Sequence, residues 1–145
     1  MHTVKVNTSV GEINARNLLI CVNGFAQDLM NEDVHPARAQ VLVTEKIQNL
    51  KIKGTFHYDR GYYYFRNIDD RILLGGGRNL DFEGETSTAL ETTETIMSAL
   101  EQLLTTVILP GRKTKIEHRW AGIMGVGKTK APIIKKIEPN VGLGV

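Results

Sequence analysis

Apolar and polar positions alternate along the first fifteen residues. Val4, Val6 and Thr8 face one way and Lys5 and Asn7 the other, the period of a half-buried strand. Val10-Gly11-Glu12 reads as a turn, and Ile13 to Ala15 as a short return strand. Leu18 to Val22 is a continuous apolar run, long enough for a fully buried strand, and Asn23-Gly24 ends it. Phe25 to Met30 suits a short helix, stopped before Pro36. From Ala37 the pattern turns to β again. Gln40 to Thr44 is a strand candidate, and Thr55 to Gly77 holds the densest β signal. Within it Tyr62-Tyr63-Tyr64-Phe65 favours a pleated surface, Asp69-Asp70 makes the turn, and Ile72-Leu73-Leu74 returns. Alternation predicts Tyr62, Tyr64 and Arg66 on one face and Tyr63 and Phe65 on the other. Gly75-Gly76-Gly77 marks a place where another backbone or a ligand comes close.

One clear helix is predicted, over 88–107. Thr88 and Glu91 have capping-box spacing. Leu90, Met97, Leu100, Leu104 and Val107 form its apolar stripe, widened by Ile96 and Leu103, and Leu109-Pro110-Gly111 stops it. Lys115 to Ile123 alternates as a strand, and the tail 131–145 reads as a hairpin. The fold class is therefore α+β, mostly antiparallel sheet with one long helix.

At 145 residues the chain is long enough for a real core, and its 41% hydrophobic and 23% charged residues are ordinary for a globular protein. No apolar run approaches the about 20 residues of a membrane helix. The first residues, Met1 to Val6, lack the apolar stretch of a signal peptide. The single cysteine, Cys21, excludes an internal disulfide framework and fits a reducing, cytoplasmic setting. Its place in an apolar strand predicts a buried, inert thiol. A net charge of +2 gives no indication of a nucleic-acid partner. The charge is uneven, however. Asp81 to Glu101 carries acids and no base, and Arg112 to Lys136 is strongly basic. These segments could neutralise each other, or the basic one could face an anion.

Gly122-Ile123-Met124-Gly125-Val126-Gly127-Lys128-Thr129 matches the phosphate-cradling pattern G-x-x-x-x-G-K-T letter for letter. That loop needs a helix directly after it to complete the anion site. Pro132, Pro139 and the β-branched residues between them predict strand instead, so the segment reads as a glycine-rich β turn with an exposed lysine. His2, His35, His57 and His118 are scattered, without metal-site spacing, so no metal site is expected. Asp59, Asp69 and Asp70 read as turn formers. No G-x-G-x-x-G occurs.

Three segments in order carry a family resemblance. His57-Tyr58-Asp59-Arg60-Gly61-Tyr62-Tyr63-Tyr64-Phe65-Arg66, followed by Ile72-Leu73-Leu74-Gly75-Gly76, resembles the tyrosine-strand hairpin of FAD-dependent amine and amino-acid oxidoreductases: the D-amino-acid, glycine, sarcosine and γ-glutamylputrescine oxidases. Trp120-Ala121-Gly122 with Pro132-Ile133 is similar to that family's W-x-G…P-x-I segment. Leu18 to Gly24 resembles the strand that ends the family's dinucleotide-binding part and hands the chain to the substrate domain.

The resemblance implies residual FAD-domain strands and a short helix over 1–31, a substrate-binding α+β domain over 36–125, and return strands toward the FAD domain over 126–145. It implies a substrate cavity lined by Tyr62 and Tyr64, with Arg66 holding an anionic group. Gly24, Trp120, Gly122, Met124 and Lys128 would lie near the flavin. The implied reaction is oxidation of a C–N bond of a small amine or amino acid, the flavin taking the hydride. Glycine and D-amino-acid oxidases resemble W-x-G-x-R here, and Met124 stands at the arginine's place. The substrate is then an amine, or another arginine serves. Without the pyrophosphate-binding fingerprint, the chain resembles an interior piece of such an enzyme. It is expected to bind no FAD alone, to be inactive alone, and to self-associate through exposed strand edges. The alternatives are a stand-alone β-rich binding module and a nucleotide-binding protein using Gly122 to Thr129.

Overall fold

The computed structural model describes residues 3–30, 32–129 and 131–145. His2, named above, Lys130 of the basic segment, and Asn31, at the end of the first implied segment, lie outside the described residues. The chain divides into two compact units, residues 1–36 with 124–145, and residues 37–123.

In the first unit β1 (Val4–Thr8) and β2 (Gly11–Ala15) form an antiparallel hairpin, Val6 opposite Ile13. The β3 strand (Leu18–Ile20) is followed by a 3₁₀ turn and the four-residue helix α1 (Ala26–Leu29). The tail forms the expected hairpin, β9 (Ile134–Glu138) against β10 (Val141–Gly144), and β10 also takes β3 alongside in parallel. The expected fully buried strand over Leu18 to Val22 is corrected. It stops at Ile20, and Leu19 is 67% exposed. Among the described residues β3 is an edge strand, paired with β10 alone. Cys21, expected buried within the strand, lies just beyond its end and is exposed.

The second unit is built on a five-stranded sheet in the order β5-β6-β7-β4-β8. Its strands are β4 (Val34–Thr44), β5 (Thr55–Tyr58), β6 (Tyr63–Ile68), β7 (Arg71–Gly76) and β8 (Ile116–Gly127). β4 and β8 carry the chain between the two units. Asp59, Asp69 and Asp70 take positive φ at the turns, as their short polar side chains allow. The core sets Leu42, Tyr63, Ile72 and Leu74 of the sheet against Ile96, Met97, Leu100 and Leu103 of helix α2 (Glu94–Leu103). Leu104 and Ile108 continue it from a wider π-type turn over Leu104–Ile108.

The helix is shorter than the 88–107 the sequence predicts. Thr93, not Thr88, precedes its first turn, and no capping box forms. Thr93 is held extended (φ −109°, ψ 148°) because its N–H donates to Gln40 Oε1 (2.8 Å) and its hydroxyl accepts from Gln40 Nε2 (2.8 Å). Leu90 therefore falls outside the helix and is exposed. At the other end the π turn takes Val107 off the apolar stripe, and Ile108 is buried instead.

Candidate functional site

Tyr64 and Arg66 share one face of β6, while Tyr63 on the other face enters the core. The Tyr64 ring lies directly over Gly75 of the neighbouring strand, where a side chain would collide with it. Burial raises the pKa of Tyr64. Burial first, then the charge of Asp59, raises that of Tyr63. Tyr62 departs from the sequence reading. It precedes the strand in an αR conformation, closing the turn that Asp59 opens, and so does not share the alternation of Tyr64 and Arg66. Its carbonyl accepts from Gly77 N–H (2.9 Å), and a Cβ at Gly76 would strike that same carbonyl. The close approach expected at the three glycines is thus made by the chain's own backbone and by Tyr64.

From Gly77 (φ +81°) a strap runs back across the sheet, residues 77–93. Its outer part is aromatic and cationic. The Phe82 ring meets the edge of Tyr62 (6.5 Å between centroids), and the Arg78 guanidinium stacks over Phe82 at 5.2 Å. Tyr62 and Phe82 are 42% and 50% exposed. Its inner part is an anchor that the reading of the sequence missed. Glu85 is 1% exposed and takes a forked ion pair from Arg38 (Nη2–Oε1 2.8 Å, Nε–Oε2 3.2 Å), plus Gln40 Nε2 at 2.8 Å. Arg38 Nη2 also donates to Gly84 O (3.0 Å), and Arg38 N–H to Glu85 O (2.8 Å). The Glu85 hydrogen bond is the largest cause of the raised Arg38 pKa. Charged residues so far apart in sequence carry no periodic signature. Arg38 and Gln40, both buried polar residues among Ala37, Ala39 and the apolar run Val41 to Val43, were the available hint.

In the first unit a groove of about 550 Å³ is lined by Asp33, Val34, Gly125 to Thr129, Ala131 to Ile133 and Val145. It includes five residues of the phosphate-loop look-alike. The segment is strand through Gly127, and the next element is β9, not a helix. Gly125 N–H donates to Asn23 Oδ1. The carbonyls of Asp33 and Thr129 crowd Gly127, and Lys128 pairs with Asp33 (3.4 Å). With the Gly125 amide spent on Asn23, carbonyl oxygens crowding Gly127 and its lysine paired, the segment makes no anion cradle. Of the flavin-side candidates, Lys128 lines this groove and Met124 directly precedes it on β8. Gly24 is buried in the 3₁₀ turn after β3. Trp120 and Gly122 belong to the other unit and share a face of β8, with open space around Gly122.

The expected exchange between the acidic and basic segments is formed by Arg119 with Glu101 (2.5 Å), whereas Lys135 pairs with Glu32 and Arg71 with Glu117. Among the described residues no group of three His, Cys, Asp or Glu is placed to hold a metal, and no helix is long and apolar enough to cross a membrane.

This architecture is that of a known class. The family model of the FAD-dependent oxidoreductases (DAO) matches residues 2–144, and the chain belongs to that family. Among solved structures it is similar to L-proline dehydrogenase from P. horikoshii, at 18% identity and TM-score 0.74, over 97% of this chain and 39% of that one. It is also similar to iminodiacetate oxidase from Chelativorans sp. BNC1, at 15% identity and TM-score 0.71, over 99% and 42%. Glycine oxidase from Bacillus cereus ATCC 14579 gives 15% identity and TM-score 0.70, over 97% and 39%. At these identities the likeness is one of fold. The chain spans about two fifths of the length of these structures. A search of curated protein sequences finds no match.

Proposed function

We propose that these 145 residues are the substrate-side part of an FAD-dependent oxidoreductase that oxidises a C–N bond of a small amine or amino acid. The observation that carries this reading is the family match over nearly the whole chain, joined to a fold shared with enzymes named for amino-acid and iminodiacetate oxidation. Unit 2 is the substrate-binding α+β domain, and unit 1 supplies strands of the FAD domain. Tyr62, Tyr64 and Arg66 form the substrate side. Tyr64 offers a hydroxyl whose pKa burial raises, and Arg66 an exposed positive charge two residues along the same strand face.

Flavin, when bound, supplies hydride acceptance. The chain's fit to it is partial. The groove of unit 1 has the size of a small-molecule site. Its apolar walls of Val34, Val126 and Ile133, and its rim of one paired acid and base, suit a flat uncharged ring. They do not suit a diphosphate, for the reasons that exclude a phosphate loop. α1 has four residues and offers no substitute for the helix of the dinucleotide fingerprint. Lys128 is the flavin-side residue of this groove. Gly24 and Met124 are further candidates in the same unit, as are Trp120 and Gly122 in the other.

The isolated chain accordingly neither retains FAD nor turns over, and it self-associates through strand edges such as that of β3, where Leu19 is exposed. Titration of the purified chain with FAD, followed by the visible flavin band through gel filtration, tests this. The expected result is no stoichiometric yellow complex, and a stoichiometric one overturns the partial-fit argument. Light scattering showing a monomer overturns the self-association.

A further inference from the structure

We infer that the free edge of β5 docks an extended acidic segment of another protein, added to the five-stranded sheet as a further strand. β5 ends that sheet and, among the described residues, is paired with β6 alone. Two hydrogen bonds fix which of its backbone groups face outward. Ile72 N–H donates to Thr44 Oγ1 on the β4 side (3.0 Å), and Gly77 N–H donates to the Tyr62 carbonyl (2.9 Å). Backbone groups alternate in direction along an antiparallel ladder. β6 therefore turns Tyr64 and Arg66 toward β7, and Tyr63 and Phe65 toward Tyr58 and Phe56 of β5. Thr55 and His57 are left with N–H and C=O groups pointing away from the sheet.

The side chains of the edge are apolar on one face. Phe56 stacks on Phe65 at 4.8 Å between centroids, and Tyr58 leans on Tyr63 at 6.3 Å. Tyr63 lies in the core and Phe65 packs against it. Two rows of rings thus run out from the core and stop at the edge, where Phe56 is 39% and Tyr58 44% exposed. An added strand with apolar side chains two residues apart would continue both rows.

The charge at this edge selects the partner. Leu50 and Ile52 pack against the core, and Lys51 and Lys53 between and after them are exposed at the entry to β5. Arg60 is exposed at the other end, in the turn after Tyr58. None of these three bases takes part in an ion pair among the described residues, and Asp59 is the one acid of residues 50–61. A second copy would bring the same three cations to the edge and be repelled. A strand with acids at both ends is attracted by the same charges, its backbone giving affinity and its alternate side chains specificity.

The test is fluorescence anisotropy of a labelled peptide, Glu-Glu-Val-Thr-Val-Glu-Glu, titrated with the 145-residue chain. Its valines suit Phe56 and Tyr58, and its glutamates the cations at the two ends. Saturable binding is expected. It should be lost with Lys-Lys-Val-Thr-Val-Lys-Lys, which reverses the charge, and with Glu-Glu-Val-Pro-Val-Glu-Glu, which keeps the charge and removes the central amide. The double variant Lys51→Glu, Lys53→Glu should raise the Kd at least about tenfold. Amide exchange should find Thr55 and His57 unprotected in the chain alone and protected with the peptide. No saturable binding below about 1 mM, equal binding of the lysine peptide, an unchanged Kd in the double variant, or protection that leaves out Thr55 and His57 would each overturn the assignment. Protection of these two amides in the chain alone that fades on dilution would give the edge to a second copy, and preferred binding of a labelled oligouridylate would give it to a nucleic acid; either also overturns it. No residue of the substrate or flavin side is used, so none of these results bears on the family reading.

Discussion

Removing the Glu85 carboxylate is the most informative single perturbation of this fold. In Glu85→Ala, the Arg38 guanidinium, with 6% of its side-chain surface exposed, loses both bonds of its fork, and Gln40 Nε2 loses its carboxylate acceptor. Breaking a buried pair by deleting one partner costs about 3–5 kcal/mol, because a desolvated charge is left uncompensated. Against the roughly 7–15 kcal/mol expected for a chain of this size, that is a large share. Glu85→Gln keeps the shape and one acceptor oxygen and should cost about 2–3 kcal/mol, the value of charge-assisted hydrogen bonds. The loss should be local as well as global, since residues 84, 85 and 93 are all tied to β4 through this network. Urea unfolding followed by circular dichroism measures the stability. Amide exchange measures protection over 84–93. The cycle of Arg38→Ala, Glu85→Ala and the double variant should give a coupling of at least about 2 kcal/mol. A Glu85→Ala cost below about 1 kcal/mol, or single-variant costs that simply add, would refute the view that this network fastens the strap.

Other outcomes follow from the same geometry. Gly76→Ala should destabilise the chain by about 2–4 kcal/mol, because φ is +116° and the new Cβ would meet the Tyr62 carbonyl. Gly122→Ala, with open space around it, should change stability by less than about 0.5 kcal/mol; thermal melts of the two variants decide. Tyr63 and Tyr64 have folded pKa values above the ordinary 10.0. Their contribution to stability is therefore complete below pH 10.0 and lost as the pH climbs through the folded values. Ultraviolet tyrosinate titration should show ionisation above pH 10.0 that Tyr63→Phe and Tyr64→Phe each diminish. Lys128→Ala should leave stability within about 0.5 kcal/mol, as expected for an exposed ion pair, and ATP should bind neither protein; saturable ATP binding lost in Lys128→Ala would restore the phosphate-loop reading.

Local chemistry was legible wherever sequence neighbours decide it. The Asp-rich turns, the β6–β7 hairpin and the tail hairpin follow from period-two patterning and from residues that tolerate positive φ, and β9 in place of a helix after Thr129 follows from Pro132, Pro139 and the β-branched residues between them. The misreadings arose where distant residues decide. The capping-box spacing at Thr88 and Glu91 is real, but Gln40, about fifty positions away, holds Thr93 extended and delays the helix. Alternation placed Tyr62 with Tyr64, but the tight turn from Asp59 ends after Tyr62 and the strand begins one residue later. An apolar run at Leu18 predicts burial only where other layers cover both faces of its strand, and Leu19 is exposed. For the site, the tyrosines were visible as a motif. The Glu85 anchor was not, because partnering across the fold leaves no period in the sequence.

The account stands most directly on what accompanies this polypeptide in its native cells. Protein captured through these 145 residues should come with FAD and with sequence carrying a G-x-G-x-x-G segment, in the same chain or a bound one, as mass spectrometry and the flavin spectrum would show. Recovery of a monomeric 16.2 kDa protein, free of flavin and of any dinucleotide-binding sequence, would contradict it.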